Sequence, residues 1–351
     1  MLTPFTKKRT LILKNPRRFL TKPWLTWSDY LTPLVSVIVP AYNAAAYIEK
    51  TVENLSRQTC SEIEIILVDD GSTDGTAEIC DRLSELYDRV KVIHQENKGV
   101  SAARNAGMRA ASGSYIGFCD SDDVPDSDLY ETLLNLAVEN NAELSMVDVR
   151  IQNIDGSIKH TSTQISHCFN SPDEFAEAFF TEYLNVGVYT KLFSRELAAR
   201  LEFPEGIRIN EDMYFFFCAG ISSKKTVHKN VEKYTYALNS ESATMKGFSE
   251  SYFDKIFIAD EFVRLTKEKF PKLLNYAESK KVSMLLRLIN RMLVLGGDKQ
   301  FPDRYKEICK TVTSYKTGFC KRYLNKKDFA RFMLLKANRP MFEAASKRLD
   351  K

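Results

Sequence analysis

Short apolar runs alternate with longer amphipathic segments along residues 34–150. The runs are rich in Val, Ile and Leu, have the length of strands, and lie at 34–39, 63–68, 90–93, 115–119 and 143–150. The segments between them have helical spacing and lie at 44–57, 73–86, 99–111 and 127–140. Strands that alternate with helices of about 10–15 residues predict a Rossmann-like α/β fold, with a mostly parallel sheet and helices on both faces.

From about residue 249 the pattern changes to helices alone. Apolar residues recur at helical spacing over 252–270, 273–295, 304–314 and 327–349. We therefore predict three parts. They are an N-terminal segment, 1–33, an α/β domain, 34–245, and a helical C-terminal extension, 246–351.

Composition limits the class of protein and its location. Of the 351 residues, 44% are hydrophobic and 27% are charged, as in ordinary folded soluble proteins. No run reaches the roughly 18 apolar residues of a membrane-spanning helix, and residues 1–33 lack the apolar core of a signal peptide. Seven scattered cysteines without a CxxC pair are typical of reduced thiols, so we expect a cytoplasmic protein.

Positive charge is concentrated at the two ends of the chain. Residues 1–33 carry a net charge of +6 and residues 299–351 one of +10, whereas the whole chain is +4, so residues 34–298 carry −12. Apolar residues are interleaved with the basic ones; near the C-terminus they are Tyr315, Phe319, Tyr323, Phe329, Phe332 and Met333. The charge favours peripheral binding of both ends to an anionic membrane surface over core packing of this stripe. Solvated helical faces are the alternative, and the acidic body argues against nucleic acid.

Polar clusters follow three of the predicted strands. They are Pro40-Ala41-Tyr42-Asn43, Asp69-Asp70-Gly71-Ser72 and Asp120-Ser121-Asp122-Asp123. The carboxyl ends of parallel strands lie along one edge of a sheet, where ligands bind in such folds, so we expect the clusters to meet there.

The chemistry of the second and third clusters indicates a ligand. Asp69 or Asp70 can accept the N–H of a uracil, although a capped turn between strand and helix is the alternative. The third cluster has three carboxylates within four residues, which cannot be buried without a partner. Hard oxygen ligands suit Mg²⁺ or Mn²⁺, ions that commonly neutralise phosphates, and an acidic turn that caps the next helix is the alternative.

The predicted helix 99–111 adds a cationic group. Ser101, Arg104 and Asn105 follow i, i+3, i+4 spacing and share one face. Arg104 can pair with an aspartate of the sheet edge or with a diphosphate, and the sequence favours neither alternative.

Four segments together resemble the successive signatures of family 2 glycosyltransferases. They are 37–43, 68–76, 97–107 and 118–123, in the family's order and spacing. The resemblance covers roughly residues 34–240. It implies the type-A glycosyltransferase fold, a nucleotide-sugar donor, most commonly a UDP-sugar, and inversion at the anomeric carbon. It also divides 34–245 into a nucleotide-binding half, 34–125, and an acceptor half, 126–245.

The resemblance implies roles for individual residues. The nucleoside pocket is lined by Pro40, Tyr42, Asp69 and Asp70. Asp120 and Asp122 form the DxD-type element that meets the ribose, the divalent metal (Mn²⁺ or Mg²⁺) and the diphosphate. We include as further donor-binding candidates Asn43, Gly71, Ser72, Arg104, Asn105 and Ser121.

Glu211 and Asp212 begin an aromatic segment in the second half. A carboxylate at a helix N-terminus is stabilised by the helix dipole, so simple capping is one interpretation. The resemblance makes Asp212 the catalytic base and Glu211 its orienting neighbour. Upstream, Lys191 is predicted to be a surface charge, with a phosphate contact as the alternative. Many relatives have a Tyr-Arg pair where this chain has Ala237-Leu238, which puts in doubt a cationic clamp from the loop 239–244 over the donor.

These features predict a metal-dependent inverting glycosyltransferase. Its acceptor is a hydroxyl of a glycan or lipid-linked molecule, in assembly of a bacterial cell-surface polysaccharide such as capsule or lipopolysaccharide. A non-catalytic nucleotide-sugar-binding or scaffold protein at the membrane is the alternative. The first strand is followed by no GxGxxG turn and the chain has no GxxxxGK[ST] motif, which argues against a dehydrogenase and a phosphate-loop hydrolase.

Overall fold

The computed structural model describes residues 34–161, 165–182, 184–237 and 247–349. The predictions made for the N-terminal segment 1–33 and for the loop 239–244, together with Leu238, fall outside these residues.

Within the described ranges, ten strands form one sheet. They are β1 (Val35–Ala41), β2 (Ile63–Asp69), β3 (Val90–His94), β4 (Tyr115–Phe118), β5 (Val124–Pro125), β6 (Leu144–Gln152), β7 (Ile158–His160), β8 (His167–Phe169), β9 (Lys191–Ser194) and β10 (Thr226–Ala237). Their order is β3-β2-β1-β4-β9-β6-β10-β5, with β7 beside β6 and β8 beside β10.

The first four strands of the sheet order, β3, β2, β1 and β4, are parallel. Their carboxyl ends therefore lie on one edge, as the sequence predicts. β9 is inserted between β4 and β6 and runs antiparallel to both, while β6 and β10 are parallel. This arrangement confirms the predicted α/β fold class. The sheet is mixed rather than mostly parallel, because four of the strand pairings within the described residues are parallel and five are antiparallel.

Seven of the described helices belong to the α/β domain. They are α1 (Ile48–Ser56), α2 (Thr76–Leu86), α3 (Val100–Ala110), α4 (Leu129–Asn140), α5 (Pro172–Thr181), α6 (Arg195–Ala198) and α7 (Glu211–Gly220). The C-terminal extension contains α8 (Asp254–Lys269), α9 (Leu274–Leu295), α10 (Gly297–Gln300), α11 (Pro302–Ser314), α12 (Thr317–Tyr323), α13 (Lys326–Ala337) and α14 (Arg339–Leu349). The segment 327–349, predicted as one helix, is divided at Asn338, because the proline at 340 has no N–H to continue the hydrogen bonds of α13 but is tolerated in the first turn of α14.

Two apolar clusters cover the two faces of the sheet. β1 is buried along its whole length, as expected for a central parallel strand. α3 packs very close to this strand at Gly107, where a Cβ atom would lie 2.4 Å from Cγ2 of Ile38. Only glycine permits this approach, which sets the position of α3 relative to the sheet edge.

A third apolar cluster forms the core of the C-terminal extension around α9. Phe332 is fully buried in it, and Tyr315, Phe319 and Phe329 pack against it, whereas Met333 is exposed. Most rings of this stripe therefore contribute to the packing of the extension, and binding of this end of the chain to a membrane surface stays a prediction. In the part of the chain that the structure describes, no helix is long and apolar enough to cross a membrane.

Candidate active site

The loops that follow β1 and β2 are hydrogen-bonded to each other. Asn43, with a left-handed φ of 51°, donates its main-chain N–H to Ser72 Oγ (3.0 Å), and its side-chain oxygen accepts the N–H of Thr73 (2.9 Å). Tyr42 is 53% exposed at this junction, whereas Pro40 is buried in β1. Of the four predicted nucleoside contacts, the two from the first cluster differ: Tyr42 offers an open ring, whereas Pro40 belongs to the strand.

Asp69 is buried and bonded within its own turn. One carboxylate oxygen accepts the N–H of Ser72 (3.1 Å), and the other lies 3.1 Å from Nδ1 of His94. Burial opposes ionisation, but the hydrogen bonds from Ser72 and His94 outweigh it and lower the pKa of Asp69. A uracil N–H can therefore bind Asp69 only through a lone pair that these bonds leave open.

Asp70 is also buried and holds the start of α3. Its two oxygens accept the main-chain N–H groups of Lys98 (2.9 Å) and Gly99 (2.8 Å), which immediately precede the helix. Gly71, with φ +71°, lets the turn pass this segment, since a Cβ there would lie 2.8 Å from the nitrogen of Asn97. In this geometry, Asp70 positions α3 and Gly71 makes room for the loop.

Arg104 joins the two halves of the predicted site. One guanidinium nitrogen lies 3.1 Å from Oδ1 of Asp120, and the other lies 3.0 Å from Oε1 of Glu211. The guanidinium also lies over the ring of Phe203, 5.2 Å from its centroid, and its side chain is only 6% exposed. Of the two alternatives for Arg104, the structure has the pairing with a carboxylate of the sheet edge.

Asn105 faces away from the carboxylates and supports a neighbouring loop. Its amide donates to the carbonyl oxygen of Phe203 (3.0 Å) and accepts the N–H of the same residue (2.8 Å). Asn105 is buried, so both ends of its amide serve the loop that packs under Arg104. A direct contact of Asn105 with the donor has no support in this geometry.

The DxD-type element is the most open part of the site. Asp120 is partly exposed and pairs with Arg104, whereas Asp122 is exposed and forms no ion pair with any described residue. The crowded surroundings, and then the charge of Asp120, raise the pKa of Asp122. The carbonyl oxygen of Ser121 accepts the hydroxyl of Thr51 (2.8 Å), which holds the loop between the two carboxylates.

The chemistry of this donor set suits a substrate-bridged ion. In the described ranges, no group of three or more potential metal-ligating side chains is gathered at one point. Mg²⁺ and Mn²⁺ in phosphate sites are held by one or two carboxylates together with oxygens of the substrate. Asp120 and Asp122 fit an ion of that kind.

Asp123 also lies at the site, although the sequence analysis gives it no role of its own. It is buried and accepts the hydroxyl of Tyr234 (2.9 Å). Burial, followed by the charges of Asp120 and Asp122, raises its pKa. The signal was the third carboxylate of the cluster, but its partner lies 111 residues away on β10 and no local pattern identifies it.

Glu211 and Asp212 form the first turn of α7, after Asn210, which has a left-handed φ of 70°. Asp212 accepts the N–H of Met213 (2.7 Å), so the capping interpretation is met in part. Burial raises the pKa of Asp212, while the nearby charge of Arg104 opposes the shift. Burial and the charge of Asp212 likewise raise the pKa of Glu211. Both groups are therefore better proton acceptors near neutral pH than exposed carboxylates are.

The prediction that Lys191 is a surface charge is wrong. Its side chain is fully buried at the start of β9, where a charged residue in a strand-like segment gives no sequence signal of burial. No phosphate can reach it without a rearrangement of the core.

A parallel half-sheet with carboxylates on its edge, followed by an acidic helix start, is the arrangement expected of the class of type-A glycosyltransferases. Comparisons with known proteins agree. The model of the family described as "Glycosyl transferase family 2" matches residues 36–197. Glycosyltransferase GlyG of Streptococcus pneumoniae serotype 4 is 33% identical over 233 residues, which are 63% of this chain and 76% of GlyG. The chain belongs to glycosyltransferase family 2.

Other similar proteins define how far the likeness extends. The uncharacterized glycosyltransferase EpsJ of Bacillus subtilis is 36% identical over 220 residues, which are 61% of this chain. The chain spans 64% of the length of EpsJ and 31% of that of another curated relative. The family model ends before Glu211 and Asp212, so it says nothing of that pair.

Solved structures support the fold over nearly the whole chain. Staphylococcus aureus TarS 1–349, in complex with UDP-GlcNAc, is similar with a TM-score of 0.63 at 18% identity, over 89% of this chain and 90% of TarS 1–349. The mannosyltransferase PcManGT of Pyrobaculum calidifontis, in complex with GDP-Man and Mn²⁺, has a TM-score of 0.54 at 17% identity, over 95% of this chain and 93% of PcManGT. At these identities the likeness shows the fold alone.

Proposed function

We propose that this protein transfers a sugar from a nucleotide-sugar donor, in the first instance a UDP-sugar, to a hydroxyl of a glycan or lipid-linked acceptor in bacterial cell-surface polysaccharide assembly. Family membership and a neighbour in complex with UDP-GlcNAc support the class of donor. The observation that carries the proposal is the pair of contacts from Arg104 to Asp120 and Glu211. These contacts bring the DxD-type element next to the carboxylate pair of α7.

The reaction assigned to the site is an inverting displacement. Asp212 accepts the proton of the acceptor hydroxyl, for which it must lie within about 3 Å of that oxygen. The hydroxyl oxygen bonds to the anomeric carbon, and the bond from this carbon to the diphosphate oxygen breaks on the opposite side. The electron pair of that bond leaves with the nucleoside diphosphate. Glu211, held by Arg104, orients the start of α7 beside this proton transfer.

Asp120 and Asp122 are the residues that would hold a divalent cation, and PcManGT, described with GDP-Man and Mn²⁺, is a structural precedent for such an ion. When bound there, Mn²⁺ or Mg²⁺ supplies positive charge to the leaving diphosphate. Tyr42, with its open ring at the same edge of the sheet, is the side chain offered to the nucleoside base.

The non-catalytic alternative, a nucleotide-sugar-binding or scaffold protein, would require only the donor half of the site. The raised pKa values of Glu211 and Asp212 favour catalysis over simple binding, because a binding protein does not need a proton acceptor at this place. Peripheral membrane association through exposed lysines of 299–349 remains a prediction.

Replacing Asp212 by Asn tests the proposed base. The amide keeps the shape but accepts no proton, so we expect transfer to fall by at least about a hundredfold. Binding of UDP, measured by calorimetry, should remain. The matched control is Asp173→Asn, an exposed aspartate in the first turn of α5, which should leave both quantities unchanged. Wild-type turnover in Asp212→Asn would remove Asp212 from the mechanism.

A further inference from the structure

Lys191 is a buried cation that the mechanism above does not use. Its side chain is fully buried at the start of β9, between β4 and β6. The ammonium donates to the carbonyl oxygen of Gly187 (2.6 Å) and to the hydroxyl of Thr190 (3.2 Å), and it lies 4.4 Å from the centroid of the Phe216 ring. Among the described residues, no carboxylate lies within salt-bridge distance of it.

An ammonium in such a place is costly unless a charge nearby offsets its loss of water. Burial lowers the pKa of Lys191 to about 7, and two carboxylates oppose the shift, Asp212 more strongly than Asp148. Asp148 already has a close partner, since it lies 2.9 Å from Nε2 of buried His228. The carboxylate that most strongly stabilises the Lys191 charge is therefore that of Asp212.

Lys191 also holds the turn that precedes β9, through its hydrogen bonds to Gly187 and Thr190. Gly187 and Thr190 bound a 3-10 turn, Val188–Thr190, that leads into β9. Within this turn, Tyr189 stacks on Tyr234 with ring centroids 4.5 Å apart, and Tyr234 donates to Asp123. The two hydrogen bonds of Lys191 thus fix a turn that contacts Tyr234, the hydrogen-bond partner of Asp123.

We propose that Lys191 is a positioning residue for Asp212: its buried ammonium lies over the Phe216 ring, one turn along α7 from Asp212, where it favours the ionised Asp212 carboxylate and holds the turn 187–190 in place. The inference rests on the proposed function for the catalytic role of Asp212. The electrostatic link between the two side chains is independent of that role.

The other charged groups around this pair act in known directions. Arg104, from α3, also favours ionised Asp212, whereas Asp120, beyond β4, disfavours it. Glu211 is its neighbour on α7. Arg104 is the stronger of the two cations that favour ionised Asp212, and removal of the Lys191 charge takes away the weaker one, so the pKa of Asp212 should rise.

Two neutral variants separate charge from hydrogen bonding. Lys191→Met removes both the charge and the donors, whereas Lys191→Gln removes the charge but retains an N–H donor for Gly187 or Thr190. We expect both to raise the acidic midpoint of the kcat–pH profile by about one unit, so that kcat falls by about tenfold at pH values below the wild-type midpoint, with the KM of the donor within about threefold of wild type. Should Lys191→Met fail to fold, Lys191→Gln alone decides the question.

The control is Lys280→Met. Lys280 is another desolvated lysine over an aromatic ring, 5.0 Å from the centroid of Phe179, but the Asp212 carboxylate is not among the charges that act on it. It should retain the wild-type profile. A wild-type acidic midpoint in Lys191→Gln, or an equal loss of kcat in Lys280→Met, would overturn the proposal.

A second measurement needs no turnover. The free energy of unfolding at pH 7 is determined for Lys191→Gln, for Asp212→Asn and for the double variant. We expect the unfolding equilibrium constant of the double variant to differ by at least about fivefold from the value that independent effects give. Additive effects would refute the link between Lys191 and Asp212. Coupling without any transfer activity would instead refute the proposed function and leave the link standing.

Discussion

At the scale of single residues, Arg104 is the contact on which the site depends. It is buried, and its two guanidinium contacts reach Asp120 after β4 and Glu211 at the start of α7. A residue with one terminal nitrogen could not span both carboxylates with the same planar geometry. The ion pairs leave Asp122 as the unpaired carboxylate of the DxD-type element.

Replacing Asp122 by Ala tests the metal-binding role. Loss of this carboxylate removes one of two proposed ligands, so we expect UDP to bind about tenfold more weakly in the presence of Mn²⁺. Binding without metal should change little. Calorimetric titration of UDP with and without Mn²⁺ measures both affinities. Asp155→Ala, at an exposed turn, is the control, and an Asp122→Ala titration that matches the control in both conditions contradicts the role.

At the same scale, the sequence predicts the residues of local motifs but not the long-range contacts between them. The sequence identified Asp120, Asp122, Glu211 and Asp212 by local motifs. It offered an aspartate of the sheet edge as a partner of Arg104 but did not identify the second partner, Glu211, which lies 107 residues further along the chain. It assigned Lys191 to the surface, because composition rules place lysines in water and the exception is set by tertiary packing.

At the scale of elements, α3 is the helix that positions the cationic group. Its start is held by Asp70, and its middle packs on β1 at Gly107. The two constraints fix both the height and the distance of Arg104 relative to the carboxyl edge of the sheet. Helical spacing and small residues in 99–111 predict this helix, but not its close approach to Ile38.

Replacing Gly107 by Ala tests the close packing. The new Cβ would lie 2.4 Å from Cγ2 of Ile38, so the helix must shift, and we expect a loss of about 1–3 kcal/mol in the free energy of unfolding. Chemical denaturation measures the loss. In the Ile38→Ala background the same substitution should be tolerated much better, because the colliding atoms are gone. Equal losses in both backgrounds would show that this contact does not limit α3.

The insertion of β9 shows what the alternating pattern could not predict. A strand–helix alternation predicts parallel neighbours, and β1 to β4 follow that rule. β9 pairs with β4 although it lies far from it in sequence, and it runs in the opposite direction. Pairing over such a separation depends on tertiary packing, which the hydrophobic period of a short run does not encode.

At the scale of the whole molecule, the C-terminal extension contacts residues of the predicted acceptor half, 126–245, directly. Asp254, at the start of α8, accepts the main-chain N–H groups of Arg208 (2.8 Å) and Ile209 (3.3 Å). These two residues immediately precede the turn at Asn210 that begins α7. The extension therefore has a structural role at the site, in addition to the net positive charge that the sequence revealed.

Replacing Asp254 by Ala tests that role. The two N–H groups lose their acceptor and the segment before Glu211 loosens, so we expect kcat to fall by about tenfold while UDP affinity is retained. Steady-state kinetics and calorimetry separate the two effects. The control is Asp260→Ala, which removes an ion pair between α8 and Lys281 of α9. Equal effects of the two substitutions would assign the loss to general destabilisation of α8.

The central proposal is that Asp120, Asp122 and Asp212 act on one nucleotide sugar. The most direct measurement is the rate of nucleoside diphosphate release from a panel of nucleotide sugars, for wild type and Asp212→Asn, with Mn²⁺ and after chelation. We predict that at least one donor is consumed by the wild type with Mn²⁺, and that chelation or Asp212→Asn reduces its release to background. Consumption of no donor, or equal release by wild type and Asp212→Asn, would contradict the account.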